Sequence, residues 1–259
     1  SSRIFKPREL EKAPTILVRI PLTYSLTDSL KTELVGRFWS TRGYVVVIQG
    51  TRGRYRSSGE FYPLIHERKD GLETLKWLRN QSWFDGDLFM WGSSSFAHTQ
   101  WAISNSTDPK IKAYFMHIGS SNFKEMFYPG GAFSLASALY WTIRSRGQED
   151  REVNLNDLAK GVEILPVVQA DNIAIGDTDF FNDWVMNRGN LSFWEKIDGS
   201  KRTESIKGPV LHLAGWYDPF LISQLDDFHS LKGHSDPFVA KNTKLIIGPW
   251  KHADSVNLP

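Results

Sequence analysis

The chain has 259 residues, of which 41% are hydrophobic and 23% are charged, a composition typical of a globular protein with a sizeable core. The formal net charge of +2 argues against a nucleic-acid-binding protein, and no apolar run approaches the ~20 residues of a membrane helix. The absence of cysteine excludes disulfides, a thiol nucleophile and a thiolate metal site; the compartment stays open, with the cytoplasm favoured over secretion.

Short β-branched segments alternate along the chain with longer segments of helical periodicity, a pattern that predicts an α/β fold with a mostly parallel sheet wrapped by helices. In chain order, near-continuous apolar runs predict interior strands at residues 15–20, 44–49, 88–91, 113–117, 210–214 and 243–247. Amphipathic spacing predicts helices at residues 26–40, 67–80 and 220–231.

The stretch from residue 121 to residue 200 differs, because aromatic-rich helical segments follow one another there without a strong strand. We interpret it as a helical cap inserted into a core made of residues 1–120 and 201–259. A cap at this place in the chain would lie over the carboxyl ends of the strands, where open α/β sheets bind their ligands. The alternative is that these helices pack elsewhere.

The segment from Leu88 to Ala97 passes from a predicted strand through small residues into an apolar helix. This order is typical of a nucleophile elbow, in which a strained turn presents a serine at the start of a helix. Spacing alone leaves two candidates, since Ser94 has Gly92 two residues before it and Ser95 has Ala97 two residues after it. A tight turn without chemistry is the alternative.

Two later strands end in residues that complete a catalytic triad in the order Ser, Asp, His. Asp218 follows the strand predicted at 210–214, where a carboxylate can orient an imidazole. His252 follows the strand predicted at 243–247, where an imidazole can accept the serine proton. Taken singly, Asp218 is also a good helix cap and His252 an ordinary loop residue. Their combination and order predict a serine hydrolase.

Other chemistry-bearing residues fit the triad less well. We interpret His212 as a core residue of a strand. Four other histidines do not follow the last strand: His66, His117, His229 and His234. The charged residues interpreted as solvated are Asp226 and Asp227 in a helix and the basic run Arg52, Arg54 and Arg56 in a loop.

A series of motifs runs through most of the chain: LVRIP at 17–21, RGYVVVIQ at 42–49, RG at 52–53, SGEF at 58–61, MWGSS at 90–94, TQW at 99–101, YPGGA at 128–132, GWYD at 215–218 and GPWKH at 248–252. In this combination the sequence resembles the X-prolyl dipeptidyl aminopeptidase and cocaine-esterase-like hydrolases of peptidase family S15. The resemblance implies an α/β-hydrolase fold, with Ser94 as nucleophile, Asp218 as acid and His252 as base. Acyl transfer by such a triad requires no metal and no organic cofactor.

The resemblance also predicts where the oxyanion is bound, and there the sequence departs from the family. The Ser95 backbone N–H is one expected donor. Leu22 stands where the family usually has a tyrosine whose hydroxyl is the second donor, so the Leu22 backbone and Tyr24 are the candidate replacements. Gly50 and Ala97 are further departures. Because losing one such donor costs ~10²–10³ in rate, an impaired or inactive relative that binds ligands or partners is the alternative function.

The expected substrate is a small ester or amide, or a short X-Pro peptide. The acyl pocket is expected between sheet and cap, at the aromatic residues Phe127, Trp141, Trp216 and Phe220, with plain core packing as the alternative. No nucleic-acid or membrane partner is expected, and a homo-oligomer is left open. The family's C-terminal jelly-roll domain and longer N-terminal strand pair are not found in the sequence, so we expect a fragment or a truncated relative, with Ser1 inside a strand.

Overall fold

The computed structural model describes residues 1–22, 26–146 and 153–252. The strands are β1 (Ser2–Phe5), β2 (Ala13–Ile20), β3 (Val45–Gly50), β4 (Phe84–Ser93), β5 (Ile111–His117), β6 (Val210–Tyr217) and β7 (Lys244–Lys251). The helices are α1 (Leu26–Ser40), α2 (Glu67–Arg79), α3 (Ser95–Trp101), α4 (Phe123–Phe127), α5 (Leu135–Ser145), α6 (Leu155–Val162), α7 (Ala170–Ile175), α8 (Asp179–Met186), α9 (Leu191–Trp194), α10 (Leu221–Lys232) and α11 (Pro237–Asn242).

The seven strands form one sheet in the order β1-β3-β2-β4-β5-β6-β7. β1 runs antiparallel to β3, and every other pair of neighbours is parallel. The predicted α/β class is therefore confirmed, and each of the six predicted strands overlaps an observed one. The seventh observed strand, β1, was not predicted from an apolar run, because its four residues are mostly exposed and form no such run.

The sheet is packed by helices, as parallel strands require. On one face, alternate side chains of β2, β4 and β5 contact α2, α3 and α10; members of this cluster include Leu17, Met90, Met116, Leu78, Trp101 and Leu231. On the other face, a smaller cluster formed by β2 and β3 includes Trp39 of α1. Both faces anchor the strands whose ends carry the candidate site.

Residues 121–200, here called the cap segment, connect β5 to its sheet neighbour β6. Its described residues contain α4 to α9 and no strand, as predicted. Its interior is mainly aromatic, with buried rings at Phe123, Phe127, Tyr128, Phe180, Phe181, Trp184, Phe193 and Trp194. This aromatic cluster is separate from the clusters on the sheet faces; Leu64 and Phe220, which directly precedes α10, belong to it from outside the cap segment.

Two residues of the basic run at 52–56 are not solvated as predicted. Arg54 is only 2% exposed, with its guanidinium 3.3 Å from the centre of the Phe61 ring, and it donates to the carbonyl of Ser145 in the cap segment. Arg52 forms two hydrogen bonds with Asp70, at 2.9 and 2.6 Å. The sequence pattern missed the hydrogen bonds to Asp70 and Ser145 because these partners lie 18 and 91 positions away in the chain.

Candidate active site

The three residues predicted to act together follow three strands that end at the same edge of the sheet. Ser94 comes directly after β4, Asp218 directly after β6, and His252 directly after β7. Parallel strands present their carboxyl ends on one side, so residues far apart in the sequence meet there. β4 and β6 are separated by β5 alone, and β7 pairs with β6.

Ser94 occupies a sharp turn between β4 and α3. Its φ of 56° and ψ of −127° lie in a region that residues with a Cβ rarely adopt. Such a conformation costs about 1–3 kcal/mol and persists only where the surroundings enforce it. Here the Ser94 N–H donates to the His117 carbonyl at 2.8 Å, and the Ser94 carbonyl accepts from the Ala97 N–H at 2.9 Å. The backbone thus holds the side chain at the sheet edge.

Glycine is required at two places beside this turn. A Cβ at Gly92 would collide with the Cβ of Phe96. A Cβ at Gly119 would lie 2.6 Å from the Ser94 carbonyl oxygen and 2.7 Å from the Ala97 Cβ. The small residues around the elbow therefore let β4, β5 and α3 approach each other closely.

The side chains of the triad lie in hydrogen-bond contact. The Ser94 hydroxyl is 3.0 Å from His252 Nε2, and His252 Nδ1 is 2.6 Å from an Asp218 carboxylate oxygen. The carboxyl group of Asp218 is fully buried, whereas 37% of the His252 side chain is exposed. A solvent-reachable hydroxyl, an imidazole and a buried acid thus form a continuous chain.

Asp218 has a second role at the start of α10. One carboxylate oxygen faces His252, and the other accepts the Phe220 N–H at 2.8 Å. This bond closes a tight turn just before α10, whose N-cap position is Phe220 and has no side-chain cap bond; of the two alternatives that the sequence left, the structure shows the contact with the imidazole. The bond to the backbone holds the carboxylate in the direction of the imidazole ring.

The structure describes two of the three residues predicted to bind the oxyanion, Ser95 and Leu22. Ser95 is the first residue of α3, so its N–H has no acceptor within the helix, and the residue is 3% exposed. Leu22 is half-buried and packs on the cluster formed by β2 and β3. Tyr24 lies outside the described residues.

Three of the four predicted pocket residues meet in the aromatic cluster. Phe127 is completely buried and stacks on Trp184 at 4.3 Å; Trp141 stacks on Trp184 at 5.4 Å and lies 5.9 Å from Phe127. Phe220 lies 5.0 Å from Phe123 and 5.6 Å from the His252 ring. Trp216 is 59% exposed. Aromatic rings of the cap segment thus continue through Phe220 to the imidazole.

His117 lies close to the triad, which the sequence analysis did not anticipate. It ends β5 and pairs in register with Ser93, directly before Ser94. Burial lowers the pKa of His117 to about 4, the nearby Asp218 raises it, and His252 lowers it. Its Nε2 has no hydrogen-bond partner among the described residues. The available signal was its place at the end of a strand predicted just after the nucleophile.

The described residues contain no group of three or more His, Asp or Glu side chains arranged to hold a metal ion. None of their helices combines the length and apolar character needed to cross a bilayer.

Comparison with known sequences gives two matches of wide coverage. A profile of the X-Pro dipeptidyl-peptidase family (S15) matches residues 1–254. The cocaine esterase of Rhodococcus sp. (strain MB1 Bresler) is 29% identical over 270 residues, an alignment that covers 97% of this chain and 46% of the esterase. The chain therefore spans about half the length of that relative.

Solved structures show the same fold at lower identity. An aminopeptidase from the marine sediment archaeon Thaumarchaeota archaeon aligns with a TM-score of 0.73 and 18% identity, over 97% of this chain and 46% of its own. A CocE/NonD family hydrolase from Staphylococcus aureus aligns with a TM-score of 0.65 and 19% identity, over 99% and 44%. With the strand order above, these similarities confirm the α/β-hydrolase fold.

Proposed function

The chain belongs to the X-Pro dipeptidyl-peptidase family (S15), and from this premise we propose that it is the catalytic part of a serine hydrolase that cleaves ester or amide bonds through an acyl-enzyme. The observation that carries the proposal is the chain of contacts from Ser94 through His252 to Asp218, with distances of 3.0 and 2.6 Å. Family membership alone would not choose the reacting atoms.

In the acylation step, His252 Nε2 accepts the Ser94 proton as the serine oxygen attacks the substrate carbonyl carbon. The carbonyl π electrons move to oxygen, and the Ser95 N–H donates to the oxyanion that results. When the tetrahedral intermediate collapses, the bond to the alcohol or amine breaks, and the leaving group takes the proton from His252. Asp218 stays ionised and stabilises the imidazolium.

Deacylation repeats the same transfers with water in place of the serine. His252 accepts a proton from water, whose oxygen attacks the acyl carbon, and the acid product leaves as Ser94 regains its proton. Every proton that leaves one group reaches another within the triad or the substrate. The proposed steps therefore balance with substrate and water as the only reactants.

We further propose that the cap segment forms the wall of the acyl pocket over a core of residues 1–120 and 201–259. In this arrangement the pocket takes its shape from Phe127, Trp141 and Phe220. Two facts support this division: the cap segment leaves and rejoins the core between β5 and β6, and its aromatic cluster reaches His252 through Phe220. An aromatic wall favours an aryl or other apolar acyl group. Exposed Trp216 is a candidate for contacting the leaving group.

A fluorophosphonate probe tests the proposal directly, because it reacts with a serine only when that serine is activated. We expect stoichiometric labelling of the wild-type chain and no labelling of Ser94→Ala. Ser95→Ala is the matched control, because it removes the neighbouring hydroxyl but keeps the backbone N–H; it should label at nearly the wild-type rate. Mass spectrometry of the labelled peptide identifies the serine.

Two results would contradict the proposal. Labelling that survives Ser94→Ala and disappears in Ser95→Ala would move the nucleophile to the neighbouring serine. Absence of labelling and of activated-ester turnover, in this chain and in the full-length protein that contains it, would favour the alternative of a ligand-binding relative. That alternative is motivated by Leu22 at the usual tyrosine position.

A further inference from the structure

Asp227 lies in the middle of α10, and the sequence analysis interpreted it as solvated. This prediction is wrong, since Asp227 is only 3% exposed. Both of its carboxylate oxygens accept hydrogen bonds from Ser121, one from the backbone N–H at 2.8 Å and the other from the hydroxyl. Ser121 is the first residue of the cap segment.

The other end of the cap segment reaches the same point. The Gly199 N–H donates to the Ser121 carbonyl at 2.8 Å. A Cβ at Gly199 would lie 2.9 Å from the Trp101 Cβ and 3.3 Å from the Ser121 Cβ, so the two ends and α3 are in close contact. Arg202 Nε donates to the Trp101 carbonyl at 2.8 Å, just after the exit. We call this crossing of Ser121 and Gly199 the cap stem.

Burial of a carboxylate is costly unless its oxygens accept hydrogen bonds, and this cost raises the carboxyl pKa. Burial raises the pKa of Asp227 to about 7, while the two bonds from Ser121 lower it and the charges of Asp198 and Asp226 raise it. A solvated helix position would carry no such cost. The two hydrogen bonds from Ser121 therefore hold the carboxyl group in place.

The helix that carries Asp227 also begins at the candidate active site. Asp218 accepts the Phe220 N–H immediately before α10, and Phe220 contacts both His252 and the aromatic cluster. From the first residue of α10 to Asp227 is six residues, or about 9 Å along the helix axis. One rigid element thus connects the triad, a pocket aromatic and the cap stem.

We propose that Asp227 is a positioning residue, which clamps the cap stem to α10 and thereby sets the position of the aromatic cluster relative to the triad. The inference rests on the proposed function, because it assigns the cap segment a part in substrate binding. Asp227 touches no reacting atom, so its loss should weaken binding of acyl groups that reach the cap segment and leave proton transfer at Ser94 intact.

The experiment compares Asp227→Asn and Ser121→Ala with wild type, in the full chain. Asp226→Asn is the matched control, because Asp226 is the exposed neighbour on the same helix. Steady-state kinetics with p-nitrophenyl benzoate and p-nitrophenyl acetate separate large from small acyl groups. We expect Asp227→Asn to raise KM for the benzoate about tenfold, as the loss of one good hydrogen bond would. The kcat, the acetate KM and the fluorophosphonate labelling rate should change less than about twofold.

Ser121→Ala keeps the N–H bond and loses the hydroxyl bond, so it should shift the benzoate KM in the same direction by a smaller factor. It keeps the proposal testable if Asp227→Asn does not fold. Equal losses for both esters, or wild-type kinetics in both variants, would overturn the proposal.

Backbone hydrogen exchange provides a readout that does not depend on catalysis. Both variants should exchange faster in the helices α4 to α9, with unchanged protection in β2 to β6. Unchanged exchange in the cap segment would overturn the clamp even for an active enzyme. A wild-type chain without labelling or turnover would instead refute the proposed function, while the exchange result would still decide whether Asp227 holds the stem.

Discussion

The sheet core and the cap segment differ in secondary structure and in the side chains that form their interiors. The core is held by a hydrogen-bonded strand register, with mostly aliphatic side chains and Trp101 in the main cluster on one face. The cap segment consists of short helices around stacked aromatic rings, among them Phe127, Trp141 and Trp184. In the proposed enzyme, the core carries the residues whose positions must be exact, whereas the cap segment supplies shape and apolar surface.

The difference indicates how the two regions divide the work of the proposed enzyme. Ser94, Asp218 and His252 each follow directly the last residue of a core strand, and the strand register fixes that preceding residue. The aromatic residues reach these groups through the contact between Phe220 and His252. Changes in the cap segment should therefore alter binding, and changes in the core should alter chemistry.

We expect Trp184→Ala to cause the largest loss in the free energy of unfolding. Trp184 is 1% exposed and stacks with both Phe127 and Trp141, so its removal leaves a large cavity. Such truncations cost about 3–5 kcal/mol in the free energy of unfolding. Denaturant unfolding measures this cost, and Trp77→Ala, at a partly exposed position of α2, is the control with a smaller loss. Hydrogen exchange provides the contrary outcome. If Trp184→Ala lowered protection in the sheet as much as in the cap segment, the two regions would not behave separately.

The second effect concerns a buried charge in the core. Burial raises the pKa of Glu67 to about 7, and Arg19 lowers it. Because the folded-state pKa lies above the usual 4.5, the folded chain binds more protons between these values, and this group makes stability fall as pH rises from about 4.5 to about 7. At ~1.4 kcal/mol per pKa unit, the total is of order 3 kcal/mol.

Glu67→Gln should remove this pH dependence. The difference in unfolding free energy between wild type and variant should be largest in favour of wild type near pH 4.5, shrink as pH rises, and stop changing above about pH 7. Subtracting the two curves cancels the contribution of Asp227, whose pKa is also about 7. A constant difference across this range would contradict the prediction.

The smallest effect compares glycines of the two regions. Gly119→Ala places a methyl 2.6 Å from the Ser94 carbonyl oxygen, so we expect a loss of about 1–3 kcal/mol and slower fluorophosphonate labelling. Gly189 in the cap segment has nothing within 4 Å of the Cβ position, and Gly189→Ala should change stability by no more than about 1 kcal/mol. Equal tolerance at both positions would show that the turn at Ser94 is not tightly packed.

Local patterns were enough to predict the elements that carry the site. The strands that lead into Ser94, Asp218 and His252 are apolar runs followed by glycine, proline or serine, and each overlaps an observed strand. Because strand order along an α/β chain constrains which ends meet, the order of these residues also predicted their proximity. Spacing did not separate Ser94 from Ser95, since both satisfy the small-residue rule.

Other features depended on contacts that no local pattern contains. Asp227 and Arg54 look like surface residues in the sequence, yet the cap segment covers both, through Ser121 and Ser145. His117 joins the surroundings of the triad because β5 lies between β4 and β6. The periodicity of one helix or loop reports the polarity of its residues, and the burial of those residues is set by segments far away in the chain.

For this protein, the amino-acid order is sufficient to specify the α/β architecture and the three strand ends at which an alcohol, an acid and an imidazole stand. These features follow from hydrophobic periodicity and chain direction, which act over a few residues at a time. Folding in three dimensions adds the 2.6 and 3.0 Å contacts of the triad, the aromatic stack and the clamp at Asp227. Those depend on close packing between distant segments, where shifts of about an ångström decide whether groups touch.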